Sequence, residues 1–169
     1  FPNDSSLYYF DKTYQMMGLF GSAPLEYAYL YMHKSAYFLK KNRLDSSEFY
    51  IRKSIGLKDS LELPAISPYG ELSPLYVLAG INIKSGKPDE AIKLLLSEIR
   101  EFEQLNTRRL IIKENKLLAE AYKAAGMYKE SQLTLAEVLR LQEALDKEKD
   151  AAKAVSFDIE KKMQTADLD

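Results

Sequence analysis

A fixed interval constrains this chain more than any other feature. In LLAEAYKAAGMYKESQLTLAEVL, residues 117–139, Leu118, Ala119 and Tyr122 fall on one helical face, and Gly126 interrupts it. Ser131, Leu135 and Val138 then recur at helical spacing. Tyr122 and Ser131 are nine residues apart, as are Asn82 and Ala91, and Phe38 and Ser47. Gly126, Gly86 and Asn42 stand inside these intervals, supplying the backbone freedom a helix exit needs. Ser6, Ser47, Ala91 and Ser131 form a series of small residues spaced by 41, 44 and 40 positions. A small residue on each of two successive helices lets their backbones approach closely. The chain is therefore expected to be all-α, a stack of helical hairpins, and the opening residues supply only the second half of one.

The pattern resembles the tetratricopeptide repeat (TPR) family, which carries L-G-x-x-Y on its first helix and A-x-x-x-F on its second. Leu118-Ala119-x-x-Tyr122 with Ser131-x-x-x-Leu135 fits best. Leu78-Ala79-x-x-Asn82 with Ala91-x-x-x-Leu95 follows, departing at Asn82 where an aromatic is expected. Ser35-x-x-Phe38 with Ser47-x-x-x-Ile51 carries Lys34 in place of the leucine, and Ser6-x-x-x-Phe10 matches a second helix alone. The period exceeds the usual one of about 34 residues, so the helices are expected to be longer. The resemblance implies a right-handed superhelical stack over residues 1–140: a half repeat at 2–17, then repeats at about 24–61, 73–104 and 108–139. Residues 141–169 would form a C-terminal capping helix or helical linker.

Local signals set the boundaries. Asp4 and Ser5 suit the start of a helix over 4–17, with Gly18 and Gly21 marking its end. Pro24 opens the next helix, to about residue 41, and Asp45-Ser-Ser-Glu48 reads as a capping box starting another, to about Leu61. Residues 62–73 read as the longest loop. Helices then open at Ser73-Pro74, at Pro88-Asp89-Glu90 and behind Asn106-Thr107. The last begins near Tyr128 with no evident stop. Val138, Leu141, Leu145, Ala152, Val155 and Ile159 alternate by three and four along it, with Glu148 breaking the seam.

Composition narrows the function. A net charge of −1 leaves no electrostatic footprint for nucleic acid. Without cysteine there is no disulfide framework and no thiolate metal site. No apolar run reaches the length of a membrane span. His33 is the only histidine and has no ligand-spaced neighbours, so it reads as a packed or surface residue. No G-x-S-x-G surrounds a serine and the glycines form no phosphate loop, so neither an enzyme nor a cofactor is expected. The acid pairs Asp89-Glu90 and Glu101 with Glu103 read as solvated charge. Tyr27, Tyr29 and Tyr31 alternate and cannot all face inward from one helix, so at least one is expected to be exposed or to face a groove.

In TPR arrays the first helices line a concave face. Carried over, that groove is Tyr29, Met32, Ala36 and Leu39, then Tyr76, Gly80 and Ile83, then Lys113, Lys116, Glu120 and Lys123. It grades from apolar to charged. Only Lys116 suits the carboxylate clamp of some TPR domains; Met32, Ala36, Tyr76, Gly80 and Glu120 do not, so that mode is excluded. The resemblance implies a non-catalytic interaction scaffold for a protein or peptide, the sensory or regulatory region of a larger bacterial signalling protein. It leans toward the periplasm over the cytoplasm. The alternative is a structural module whose groove is filled by its own last helix or by a second copy.

Overall fold

The computed structural model describes residues 5–21, 23–60 and 72–166. Among them are seven helices and no strand: α1 (Ser5–Phe20), α2 (Pro24–Lys40), α3 (Leu44–Ser60), α4 (Pro74–Lys84), α5 (Pro88–Gln104), α6 (Arg108–Ala124) and α7 (Tyr128–Ala166). Asp4 and most of the expected loop at 62–73 lie outside the described residues.

The turns are built alike. Asn42, Gly86 and Gly126 adopt left-handed backbone at φ 57°, 74° and 77°. In each turn the next residue's N–H closes back five positions: Arg43 to the Phe38 carbonyl, Lys87 to Asn82 and Met127 to Tyr122, at 2.8–2.9 Å. That bond satisfies a carbonyl the ending helix cannot satisfy itself. Asn106 repeats the device between hairpins, at φ 51°, with the Thr107 N–H on the Phe102 carbonyl at 3.0 Å. Asn106-Thr107 thus ends α5 rather than capping α6; the Thr107 hydroxyl also bonds back to Phe102. Two other boundaries move. Gly18 stays within α1, which breaks at Gly21. Helix α3 starts at Leu44, so Asp45 lies inside its first turn, favourable to the helix dipole but no capping box. Ser73 caps α4 as expected, its hydroxyl accepting from the Tyr76 N–H at 2.9 Å.

Small residues meet where successive helices cross. Ser35, Ser47, Ala79, Ala91, Ala119 and Ser131 are all buried. The Ser35 hydroxyl donates to the Ser47 carbonyl at 2.7 Å, and that of Ser47 to the Ser35 carbonyl at 2.9 Å. Ser131 donates to the Ala119 carbonyl at 2.8 Å and Ser54 to that of Ala28 at 2.7 Å. A serine buried at a crossing thus finds its partner on the opposite backbone, at little more volume than alanine.

Each helix packs on the next, and α2 also touches α4, and α4 touches α6. Two apolar clusters result. One joins Met32, Ile51, Val77 and Ile81 from α2, α3 and α4. The other joins Ala79, Ala91, Leu95, Ile99, Leu117, Leu118 and Ala121 from α4, α5 and α6. Aromatic rings hold the N-terminal end. Tyr14 of α1 meets Tyr27 and Tyr31 of α2, and Tyr31 and Phe38 both stack on Tyr50 of α3. Tyr29 points the other way, into the α2–α4 cluster. The alternating tyrosines are all half-buried because α2 is covered on both sides.

Helix α7 packs on α6 alone among the helices. Val138 is buried and Leu141 and Leu145 are half-buried, but residues 151–157 are all exposed. Glu148, the break in the seam, pairs with Arg108 at the first residue of α6. The stripe loses its partner where α6 begins.

A face of alternate helices and a buried carboxyl pair beneath it

The residues expected to line a groove lie on α2, α4 and α6, whose contacts with one another make a continuous face. Gly80 admits the close approach of α4 to α2: a Cβ added there would come 2.9 Å from Leu39 Cδ2. Lys84 Nζ donates to the Leu39 carbonyl at 3.0 Å across the same junction. At the α4–α6 junction Lys113 Nζ lies 4.3 Å from the centre of the Tyr76 ring, a cation–π contact.

Exposure differs along this face. Met32 is fully buried and supports the face from below, with no surface to offer a partner. Tyr29, Ala36 and Leu39 are half-buried against the first cluster, and Tyr76 and Ile83 against the second. Gly80 and Lys113 are half-buried, while Lys116, Glu120 and Lys123 are exposed. Lys113 and Lys116 also line a cleft of about 240 Å³ between α6 and α7, together with Arg109, Gln142 and Lys149. Three of its cations come from α6 and the fourth from α7.

Beneath Tyr76 and Lys113 lies a feature that motif matching passes over. Glu98 of α5 and Glu114 of α6 are each only 1% exposed. The Ser73 hydroxyl donates to Glu98 Oε2 at 2.9 Å. Glu114 Oε2 has no hydrogen-bond partner among the described residues. Burial, and after it the Glu98 charge, push the Glu114 carboxyl up to about 8 against the opposing charge of Lys113. Burial also raises Glu98, to about 6, against the Ser73 bond and the charge of Lys58. The Tyr76 hydroxyl is raised by its own burial and by Glu114 and Glu120. At neutral pH Glu114 is a carboxylic acid kept neutral by its surroundings. Perturbed acids are candidates for catalysis when a substrate can reach them, but at 1% exposure neither presents itself to solvent.

The sequence does carry a signal for both. Ala91, Leu95, Glu98 and Phe102 follow one core-facing stripe, and Glu114 precedes Leu117, Leu118 and Ala121 at helical spacing. The acids marked beforehand, Asp89, Glu90, Glu101 and Glu103, are exposed. His33 is half-buried and its pKa is lowered by that burial. Among the described residues no three of His, Cys, Asp and Glu are grouped to hold a metal ion, and no helix is long and apolar enough to cross a membrane. Compared with known proteins, the chain matches no family model, and no curated protein or solved structure gives a significant match.

Proposed function

We propose that this chain is a non-catalytic interaction scaffold that binds a peptide or protein segment along the face formed by α2, α4 and α6. In this reading residues 1–140 form a right-handed superhelical stack of TPR-like hairpins and that face is its concave side. Residues 141–169 would be its C-terminal capping helix or a helical linker. The observation that carries it is the direct contact of alternate helices, α2 on α4 and α4 on α6, with small residues buried at each hairpin crossing. Half-buried Tyr76 offers an apolar anchor of the kind that dominates interfaces. Lys116 and Lys123, with Lys113 and Arg109, would steer an acidic segment toward it. The role in a larger bacterial signalling protein, periplasmic over cytoplasmic, rests on the TPR resemblance alone. Peptides selected from a random display library should shift the amide signals of Tyr76, Gly80, Lys116 and Lys123. Tyr76→Ala should weaken such a peptide roughly 10-fold, the value of burying one large side chain. Selected peptides that map to another face would refute the reading.

A second reading is favoured by the far end of α7, where Val155, Ile159 and Met163 are exposed on the face that α6 covers earlier. There the helix would join two copies of the chain. Sedimentation of the chain with and without residues 150–169 decides it: a dimer that becomes a monomer on truncation supports the junction, and a full-length monomer removes it.

A further inference from the structure

Three copies of one hairpin allow each position to be compared with its equivalents, and one position stands apart. The shared turn bond identifies Phe38, Asn82 and Tyr122 as the same place in the fold. In the first hairpin the Phe38 ring is buried and lies nearly parallel to Tyr50, 7° between planes and 5.5 Å between centres. The Arg43 guanidinium sits 5.0 Å from the Phe38 ring centre. A shift of 44 residues carries Phe38, Arg43 and Tyr50 onto Asn82, Lys87 and Leu94. All three of those residues line one cleft of about 490 Å³ between α3, α4 and α5. Helices α3 and α5 do not touch one another, so α4 is the floor between them. The second hairpin therefore has a cleft at the position where its neighbours carry an aromatic ring.

The lining has a defined chemistry. Leu75, Leu78 and Ile81 of α4 and Leu94 of α5 supply apolar surface. The Asn82 residue is 8% exposed, and its side-chain amide makes no hydrogen bond with any described residue. That amide is not among the buried side-chain groups left without a partner, so it opens to the cleft it lines and offers a donor and an acceptor there. At the rim Arg52 is held by Glu48 at 2.5 Å. Lys87 and Lys93 have no ion-pair partner among the described residues, and Glu90 lies between them. The two lysines are separated by six residues, roughly 9 Å of helix, more than one ring spans.

We propose that this cleft binds an aromatic side chain, tyrosine above all, carried on an acidic protein segment. The ring would lie over Leu94 with Lys87 above it, as Phe38 lies between Tyr50 and Arg43. The phenolic hydroxyl would meet the Asn82 amide, and acidic neighbours in the segment would meet Lys87 and Lys93. The volume falls within the range of ordinary ligand pockets and accommodates the ring with adjoining backbone. Helical spacing puts Leu78, Ile81 and Asn82 on the face of α4 opposite Tyr76, Gly80 and Ile83. The site is therefore separate from the groove proposed above, and either can fail without the other.

The test is an NMR titration of the 169-residue chain with three probes. These are the capped peptide Asp-Glu-Tyr-Glu-Asp, the same peptide with alanine for tyrosine, and p-cresol. The tyrosine peptide is expected to shift the signals of Leu78, Asn82, Lys87 and Leu94 and to bind at least 10-fold more tightly than either control. Asn82→Tyr, which gives the second hairpin the ring present in the third, should abolish that binding and melt at a higher temperature. Lys87→Glu, an exposed change, should weaken binding several-fold with the melting temperature unmoved. Equal binding of the alanine peptide would reduce the site to surface charge and overturn the proposal. Equal binding of p-cresol would overturn the protein segment as occupant in favour of a free aromatic molecule. An Asn82→Tyr chain that melts lower, fails to fold or binds as before would overturn the slot itself.

Discussion

Glu114→Gln is expected to stabilise the protein at pH 8 and to flatten its stability profile between pH 5 and 8. The sign follows from linkage. The folded Glu114 holds its proton to about 8 against an ordinary value of 4.5. Below pH 4.5 both folded and unfolded chains carry that proton and the site is neutral to stability. Between the two values the unfolded chain releases it while the folded chain does not, so each pH unit costs the native state about 1.4 kcal/mol. The accumulated cost by pH 8 is on the order of 3–5 kcal/mol, a large share of a domain's stability. Glu98, raised to about 6, adds the same trend between 4.5 and 6. Glutamine keeps the shape, cannot ionise and leaves an amide in place of the unpaired Glu114 oxygen, so little gain is expected at pH 5. Urea unfolding at pH 5, 6.5 and 8 measures this directly: the two curves should diverge with rising pH. Parallel curves would mean that Glu114 is ionised in the folded chain.

Leu95→Ala is expected to cost ~2–5 kcal/mol, the range for a buried leucine truncated to alanine. The same change at Leu135, its equivalent 40 residues on, should cost under about 1 kcal/mol. Leu95 is fully buried, packed between α4, α5 and α6, as Ile51 is one hairpin earlier. Leu135 matches the repeat pattern equally well, yet it is 46% exposed. Among the described helices α7 packs on α6 alone, and none lies against this side of it. Urea unfolding of the two variants at one pH separates position in the repeat from position in the stack. Similar losses at both sites would show that Leu135 is covered in solution.

That contrast marks the limit of what the sequence reveals. Nine-residue intervals with Asn42, Gly86 or Gly126 inside them are local, and turn chemistry acts over five residues, so hairpins and crossings were legible. Burial depends on what comes next in space. Leu135 and Met32 both fall on helices as their spacing predicts, but the first is open and the second, expected on the surface of a groove, is closed, because coverage is a property of the neighbour. Glu98 and Glu114 were hidden differently. Their charge suggests solvent while their spacing puts them in the core, and in this chain spacing outweighs charge. The shared face of α2, α4 and α6 was reachable only through the repeat pattern, and the packing across it rests on the Gly80 and Tyr76 contacts.

The uneven placement of aromatic rings has a practical result. The chain holds twelve tyrosines and no tryptophan, and eight of the tyrosines fall within the first fifty residues. Intrinsic emission therefore reports mainly on α1, α2 and α3, whereas far-ultraviolet dichroism weighs every helix. The layer between α5 and α6 that weakens as pH rises sits at the dim end. A melt followed by light and a melt followed by helicity will coincide only if the whole stack lets go at once, so a gap between them measures how independently the hairpins open.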